Sequence, residues 1–183
     1  MKQLNKSKSI PLIWLMVLAA LFVGQQLKAQ NARLSKNEMS KLSSWVGEWE
    51  GEGWQIDQQT REKVPFKVKE QVTSKLDGLA LLVEGKGTSP DDDQIGHHAM
   101  AMVYFNADTK VYDFHSLVIQ GQSTMAHGRF NEEGAFEWGF EVPQGRIRYV
   151  IKIEGDTWTE KGAFSMDGNT WYPTMEMKLT RVK

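Results

Sequence analysis

Cysteine is absent from all 183 residues. That one absence excludes disulfide bonds, thiolate metal sites and thiol nucleophiles together. Long hydrophobic runs are scarce as well: after Gln30 no stretch approaches the ~20 apolar residues a membrane-spanning helix needs. A basic stripe is missing too, with Lys and Arg scattered among acids, which argues against nucleic acid as a partner. No internal repeat or low-complexity segment competes for the chain.

What is present begins with an export pattern. Lys2, Lys6 and Lys8 precede a 14-residue apolar run, Ile10 to Val23, and Ala29 offers a small residue for cleavage. The run is too short for a bilayer span, and Gln25 and Gln26 directly after it suit a cleavage region. Residues 1–29 are therefore expected to be a signal peptide, and residues 30–183 one exported domain, periplasmic or secreted. Removing 1–29 takes away four lysines and no acid, leaving 18 basic against 23 acidic residues, a net charge of −5. A chain of about 150 residues buries roughly 68–70% of its unfolded surface in one core, enough to stand without disulfides.

The domain reads as one short helix followed by strands. Ser35 and Glu38 have capping-box spacing, and Met39, Leu42 and Trp45 or Val46 recur at helical intervals, which predicts a helix over 34–45. Ten strands follow, over 46–57, 64–75, 79–87, 97–106, 111–119, 122–130, 135–142, 146–154, 157–166 and 170–182. Asp77-Gly78, Gln144-Gly145, Gly155-Asp156 and Asp167-Gly168 are tight-turn dipeptides between them. Connections this short favour an up-and-down meander, and a meander of ten strands must close or leave two exposed edges. The fold class is thus all-β, a single closed antiparallel barrel with one N-terminal helix. Alternation agrees: Phe136, Trp138 and Phe140 oppose Glu137 and Glu141, and Ile147, Tyr149, Ile151 and Ile153 oppose Arg146, Arg148 and Lys152.

The segment Trp45-Val-Gly-Glu-Trp49-Glu-Gly-Glu-Gly-Trp54 places Gly47-x-Trp49 at the entry to the first strand, directly after the helix. This opening resembles that of calycin barrels, the lipocalins, fatty-acid-binding proteins and their relatives. Leu76-Asp77-Gly78, Ser165-Met-Asp-Gly168 and Arg181 near the end extend the resemblance over residues 40–182, most closely to a bacterial lipocalin-like family of unassigned function. The resemblance implies a ligand-enclosing barrel in which Arg181 packs over Trp49, with Gly47, Trp49 and Arg181 in structural roles. The helical lid of fatty-acid-binding proteins has no counterpart between the first two strands, which disfavours a long lipid.

Several residues are candidates to line the cavity. Gly47, Gly51 and Gly53 share the face of Trp49, leaving room there or permitting tight curvature. Glu70 lies between Val68 and Val72, and Glu160 shares parity with Trp158. A carboxyl aimed into a barrel must be paired or hydrogen-bonded, or must keep its proton. Such an acid could bind a polar ligand group, act as a general base, or belong to a structural network with Arg148 or Arg181. Of His97 and His98 only one can face inward; the apolar run Met100, Met102, Tyr104 selects His98, with His115 on the next strand. Converging imidazoles would suit a transition metal or haem, but no H-x-H or H-E-x-x-H spacing fixes them, and isolated wall histidines give the same pattern. Haem-binding barrels related to calycins place their axial histidine late, and this chain has none after His127. Asp91-Asp92-Asp93 lacks EF-hand spacing, and Ser123 and Ser165 lack a nucleophile elbow. No metal or cofactor is assigned. The expected function is binding of a small hydrophobic or amphipathic ligand through Trp49, Glu70, His98, Met102, His115, Trp138, Tyr149 and Glu160. The alternatives are an enzyme with an interior His/Glu acid–base site and, behind it, a haem-binding barrel.

Overall fold

A computed structural model describes residues 29–57 and 59–183. The export signal expected over 1–29 lies, but for Ala29, outside the described residues. A helix over residues 29–40 (α1) and a 3-10 turn, Ser43–Trp45, lead into ten strands. These are β1 Gly47–Ile56, β2 Lys63–Lys75, β3 Ala80–Thr88, β4 Ile95–Asn106, β5 Val111–Val118, β6 Ser123–Phe130, β7 Phe136–Val142, β8 Gly145–Glu154, β9 Thr157–Ser165 and β10 Tyr172–Arg181. Each pairs antiparallel with its sequence neighbours, and β1 pairs with β10 to close the barrel. The expected fold class is the one found, and no expected strand end moves by more than two residues.

The helix is displaced from expectation. It occupies 29–40, and the chain turns before Trp45 instead of running helically through it. Ser35 is consequently mid-helix and not a cap; its hydroxyl donates to the Phe105 carbonyl at 3.1 Å and ties α1 to β4. The break has a packing cause. Met39, Leu42 and Trp45 must all enter the same end of the barrel while the chain reverses into β1, and a straight helix cannot bring the last of them there. Trp45 accepts a hydrogen bond at its carbonyl from the Trp49 indole, 2.8 Å, which fixes that reversal.

This end is a packed plug. Leu42, Trp49, Val103 and Leu179 are completely buried, and rings of Trp45, Trp49, Tyr112, Phe136 and Trp158 meet edge-on or tilted at centroid separations of 5.1–5.5 Å. Arg181 closes the mouth of this end from the inner face of β10: its guanidinium lies 4.0 Å from the Trp49 ring and donates to the Val46 and Ser44 carbonyls and to Asp156. Gly47 is needed here, because a Cβ at its φ of +141° would lie 2.6 Å from both the Arg181 guanidinium and the Lys183 carbonyl. On the same strand, a Cβ at Gly51 would collide with the Lys178 carbonyl of β10, so this glycine serves close approach of the strands. No helix among the described residues is long and apolar enough to cross a membrane.

Candidate functional site

The two ends of the barrel differ. Away from α1 the inward side chains Phe66, Trp138, Phe140, Ile147, Tyr149, Phe164 and Met175 are only half-buried, although they point to the axis. Strand alternation leaves them no other direction, and no element covers them among the described residues. The interior is therefore plugged at one end and cup-like at the other.

Two acids sit where plug meets cup. Glu70 on β2 pairs with Trp49 and Gly85, and Glu160 on β9 pairs with Ile151 and Met177. A Cβ on Gly85 would collide with Glu70 Oε1, so the Glu70 carboxyl lies flat on the bare glycine backbone of β3. Glu160 is 7% exposed. Burial pushes the Glu70 carboxyl up to about 8, with the Glu160 charge adding to it. Burial likewise pushes Glu160 up to about 7, against the opposing pull of the Trp158 and Trp138 indoles. Those two Nε1 atoms are buried and complete no hydrogen bond. Two proton-holding acids and two unpartnered N–H donors thus share one small volume.

Aromatic rings form the wall above them. Phe114 stacks on Trp138 at 4.2 Å and 8°, and Trp138 on Tyr149 at 4.4 Å and 19°. The stack bridges β5, β7 and β8 because the intervening β6 presents only Ala126 and Gly128 beneath it. Tyr149 lies over Gly162, and its hydroxyl is pushed up to about 12 by burial and then by the Glu160 charge.

Of the expected cavity residues, Glu70, Trp138, Tyr149 and Glu160 face the interior together, and Trp49 lies below them in the plug. The expectation that His98, Met102 and His115 face inward is corrected. The inward set of β4 is His97, Ala99, Ala101, Val103 and Phe105, which leaves His98, Met100, Met102 and Tyr104 outside. Both faces of that strand are apolar, so hydropathy does not choose between them. The anchoring of Phe105 and Val103 in the plug does. Register then puts His115 outside, opposite Met102, and the interior receives Tyr112, Phe114, Ser116 and Val118. His97 takes the inward place at the rim, where burial first and His98 second hold its pKa down.

The outer face of β4–β6 carries a polar cluster that the sequence did not signal. Asp113 accepts from His127 Nδ1 at 2.9 Å and from Asn106 at 3.0 Å, and the Tyr104 hydroxyl lies 3.4 Å from His115 Nε2. Burial raises the Asp113 carboxyl, but the hydrogen bonds of Asn106, Tyr104 and His127 outweigh it and hold it low. An acid between Tyr112 and Phe114 was the one clue. Among the described residues no three His, Cys, Asp or Glu side chains are grouped to hold a metal.

Neither a protein-family model nor a curated protein sequence matches the chain. Solved structures do. Rv2717c from M. tuberculosis superposes with a TM-score of 0.62 at 13% identity, over 79% of this chain and 97% of that one. The S-type phycobiliprotein lyase CPES from Guillardia theta gives 0.58 at 12% identity, over 85% and 97%. At these identities the likeness is one of fold, and it is to closed, calycin-like antiparallel barrels that this chain is similar.

Proposed function

We propose that this chain is an exported binding barrel that holds a small amphipathic molecule in its open half. The observation that carries the reading is the ring stack Phe114–Trp138–Tyr149, its last two rings half-buried, standing over Glu70 and Glu160, acids with no basic partner inside among the described residues. Apolar walls with a few converging polar groups are the usual make-up of a small-molecule site. The fold neighbour that is a phycobiliprotein lyase supports a small-molecule guest by likeness of fold. Export across the inner membrane, to the periplasm or beyond, is supported by the Lys2–Ala29 pattern, and cell fractionation of a tagged chain tests it.

The reading is tested by displacing a hydrophobic fluorescent probe from purified protein while following tryptophan emission. Probe binding that disappears in Trp138→Ala, with folding intact by circular dichroism, is expected. Equal binding by the variant would place the probe elsewhere and overturn the reading. The acid–base enzyme alternative asks for an imidazole within reach of Glu70 or Glu160, and haem asks for one deep in the cup. His97, the inward histidine, sits at the rim and hydrogen-bonds neither acid.

A further inference from the structure

We infer that the guest presents a protonated nitrogen, an amine, amidine or guanidinium on an aromatic or short aliphatic skeleton, to the Glu70–Glu160 pair. This rests on the binding reading above and names its ligand class. The first ground is the charge balance of the inner face. Strand alternation sends the lysines and the other arginines of all ten strands outward; Arg181 alone among them is turned to the inside, and it lies at the plugged end, engaged with Trp49, two carbonyls and Asp156. The remaining titratable groups on the inner face are Tyr112 in the plug and Tyr149, both neutral, and His97 at the rim. Among the described residues the cup therefore offers two carboxyls and no counterion.

The second ground is what the neighbours of the pair can do. A buried carboxylate is stable only when paired or hydrogen-bonded. The orphaned indole N–H groups of Trp138 and Trp158 are placed to donate to Glu160 once it ionises, and they have nothing else to bond. Trp138 is stacked between Phe114 and Tyr149, so the rings offer their edges as an apolar wall to the guest's skeleton while the carboxyls meet its charge. A neutral guest would leave the pair without a counterion and would use none of this. A cationic guest drives the proton off, gains a charge-assisted bond and completes the indole contacts at once.

The test uses a matched set of probes on the purified protein: phenylethylamine, phenyltrimethylammonium, phenylethanol and phenylpropionate. Calorimetry at pH 7.5 in two buffers of different ionisation enthalpy reads affinity and proton release together. The ammonium probes are expected to bind about tenfold or more tighter than the alcohol and the carboxylate, a difference of one good charged contact. About one proton is expected to leave per probe bound, and affinity should rise from pH 6 to pH 8.5 as the acids ionise more readily. Glu160→Gln and Glu70→Gln should lose that preference while retaining the hydrophobic probe. If a variant does not fold, the pH profile of the native chain makes the same distinction. Tighter binding of the alcohol or the carboxylate, or ammonium binding without proton release, overturns the inference and leaves the cup reading standing. If neither these probes nor the hydrophobic dye enters, both fall.

Discussion

The acid pair commits the fold to an unusual pH dependence. Glu70 and Glu160 hold protons in the folded chain up to about 8 and about 7, whereas an unfolded glutamate gives its proton up near 4.5. Between those values the folded state binds more protons than the unfolded state, so stability must fall as pH rises. This contribution is fully present below the unfolded value and is lost through pH 5 to 8. One proton held differentially is worth about 1.4 kcal/mol per pH unit, or about 2.7 kcal/mol between pH 5.5 and 7.5. Glu70 is half-buried at an open cup where water relieves some of the cost, so about 1–3 kcal/mol is the expected loss for the pair. In a domain of this size that lowers Tm by about 3–10 °C.

Other groups act in different windows or in the opposite sense. Asp57, Asp113 and Asp167 have depressed values, so their stabilisation is lost only on acidification, below the range in question. His97 is also depressed: the unfolded chain takes up its proton first as pH falls through about 6.5, which makes stability rise with pH there. Glu70→Gln separates the terms, because glutamine mimics the protonated acid at every pH. Urea denaturation followed by tryptophan fluorescence at pH 5.5, 6.5, 7.5 and 8.5 should find the variant equal to the native chain at pH 5.5. At pH 8.5 it should be more stable by about 1–2 kcal/mol. Native stability that is flat or rising from pH 5.5 to 7.5, or a variant curve parallel to it, would refute the assignment of buried protons to this pair.

Gly85→Ala drives a Cβ into Glu70 Oε1, so the carboxyl must leave its bed; a loss of about 1–3 kcal/mol on denaturation is expected, together with lost ammonium preference in the probe assay. Arg181→Ala uncovers Trp49 and strands the Val46 and Ser44 carbonyls, costing about 2–4 kcal/mol; Arg181→Lys should restore only part, since an ammonium cannot reproduce the planar fork. The double substitution His98→Ala/His115→Ala touches only the outer face, and stability should move by less than about 0.5 kcal/mol per site with probe binding unchanged. A loss of probe binding there would return both imidazoles to the site.

The strands were legible because each turn carried its own chemistry, and turn positions fix the strands between them. Which face of a strand turns inward was legible only where the two faces differ. Ile147-Arg-Tyr149-Arg reads without ambiguity, and Glu70 was placed by Val68 and Val72. In Ala99-Met-Ala-Met-Val103 both faces are apolar, and small alanines lose to methionines on any hydropathy scale. Yet alanine is what the crowded interior accepts, and Met100 and Met102 are left 45% and 46% exposed. The helix was misplaced for a related reason. Trp45 fits a helical period, but its burial beside Phe136 and Trp158 is a tertiary fact, and it bends the chain out of the helix.

The meeting of Glu70 with Glu160 was out of reach for a deeper reason. The two are 90 positions apart, and they approach only because β1 and β10 close the barrel between β2 and β9. Closure alone does not make them neighbours in energy. Between them Gly51 and Gly53 let Leu179, Met177 and Phe66 pack directly on the β1 backbone, and in that apolar surrounding the Glu160 charge still raises Glu70. The plug beneath is what makes the arrangement tolerable. Trp49, Trp158, Phe136 and Leu179 bury large apolar surfaces, each worth about 1.5–3 kcal/mol, and that margin exceeds what the acids remove at neutral pH. A cup whose floor is destabilised by its own charge, set on a core that can carry the loss, gains stability whenever a cation enters, and this is the physical sense in which the barrel is poised to bind.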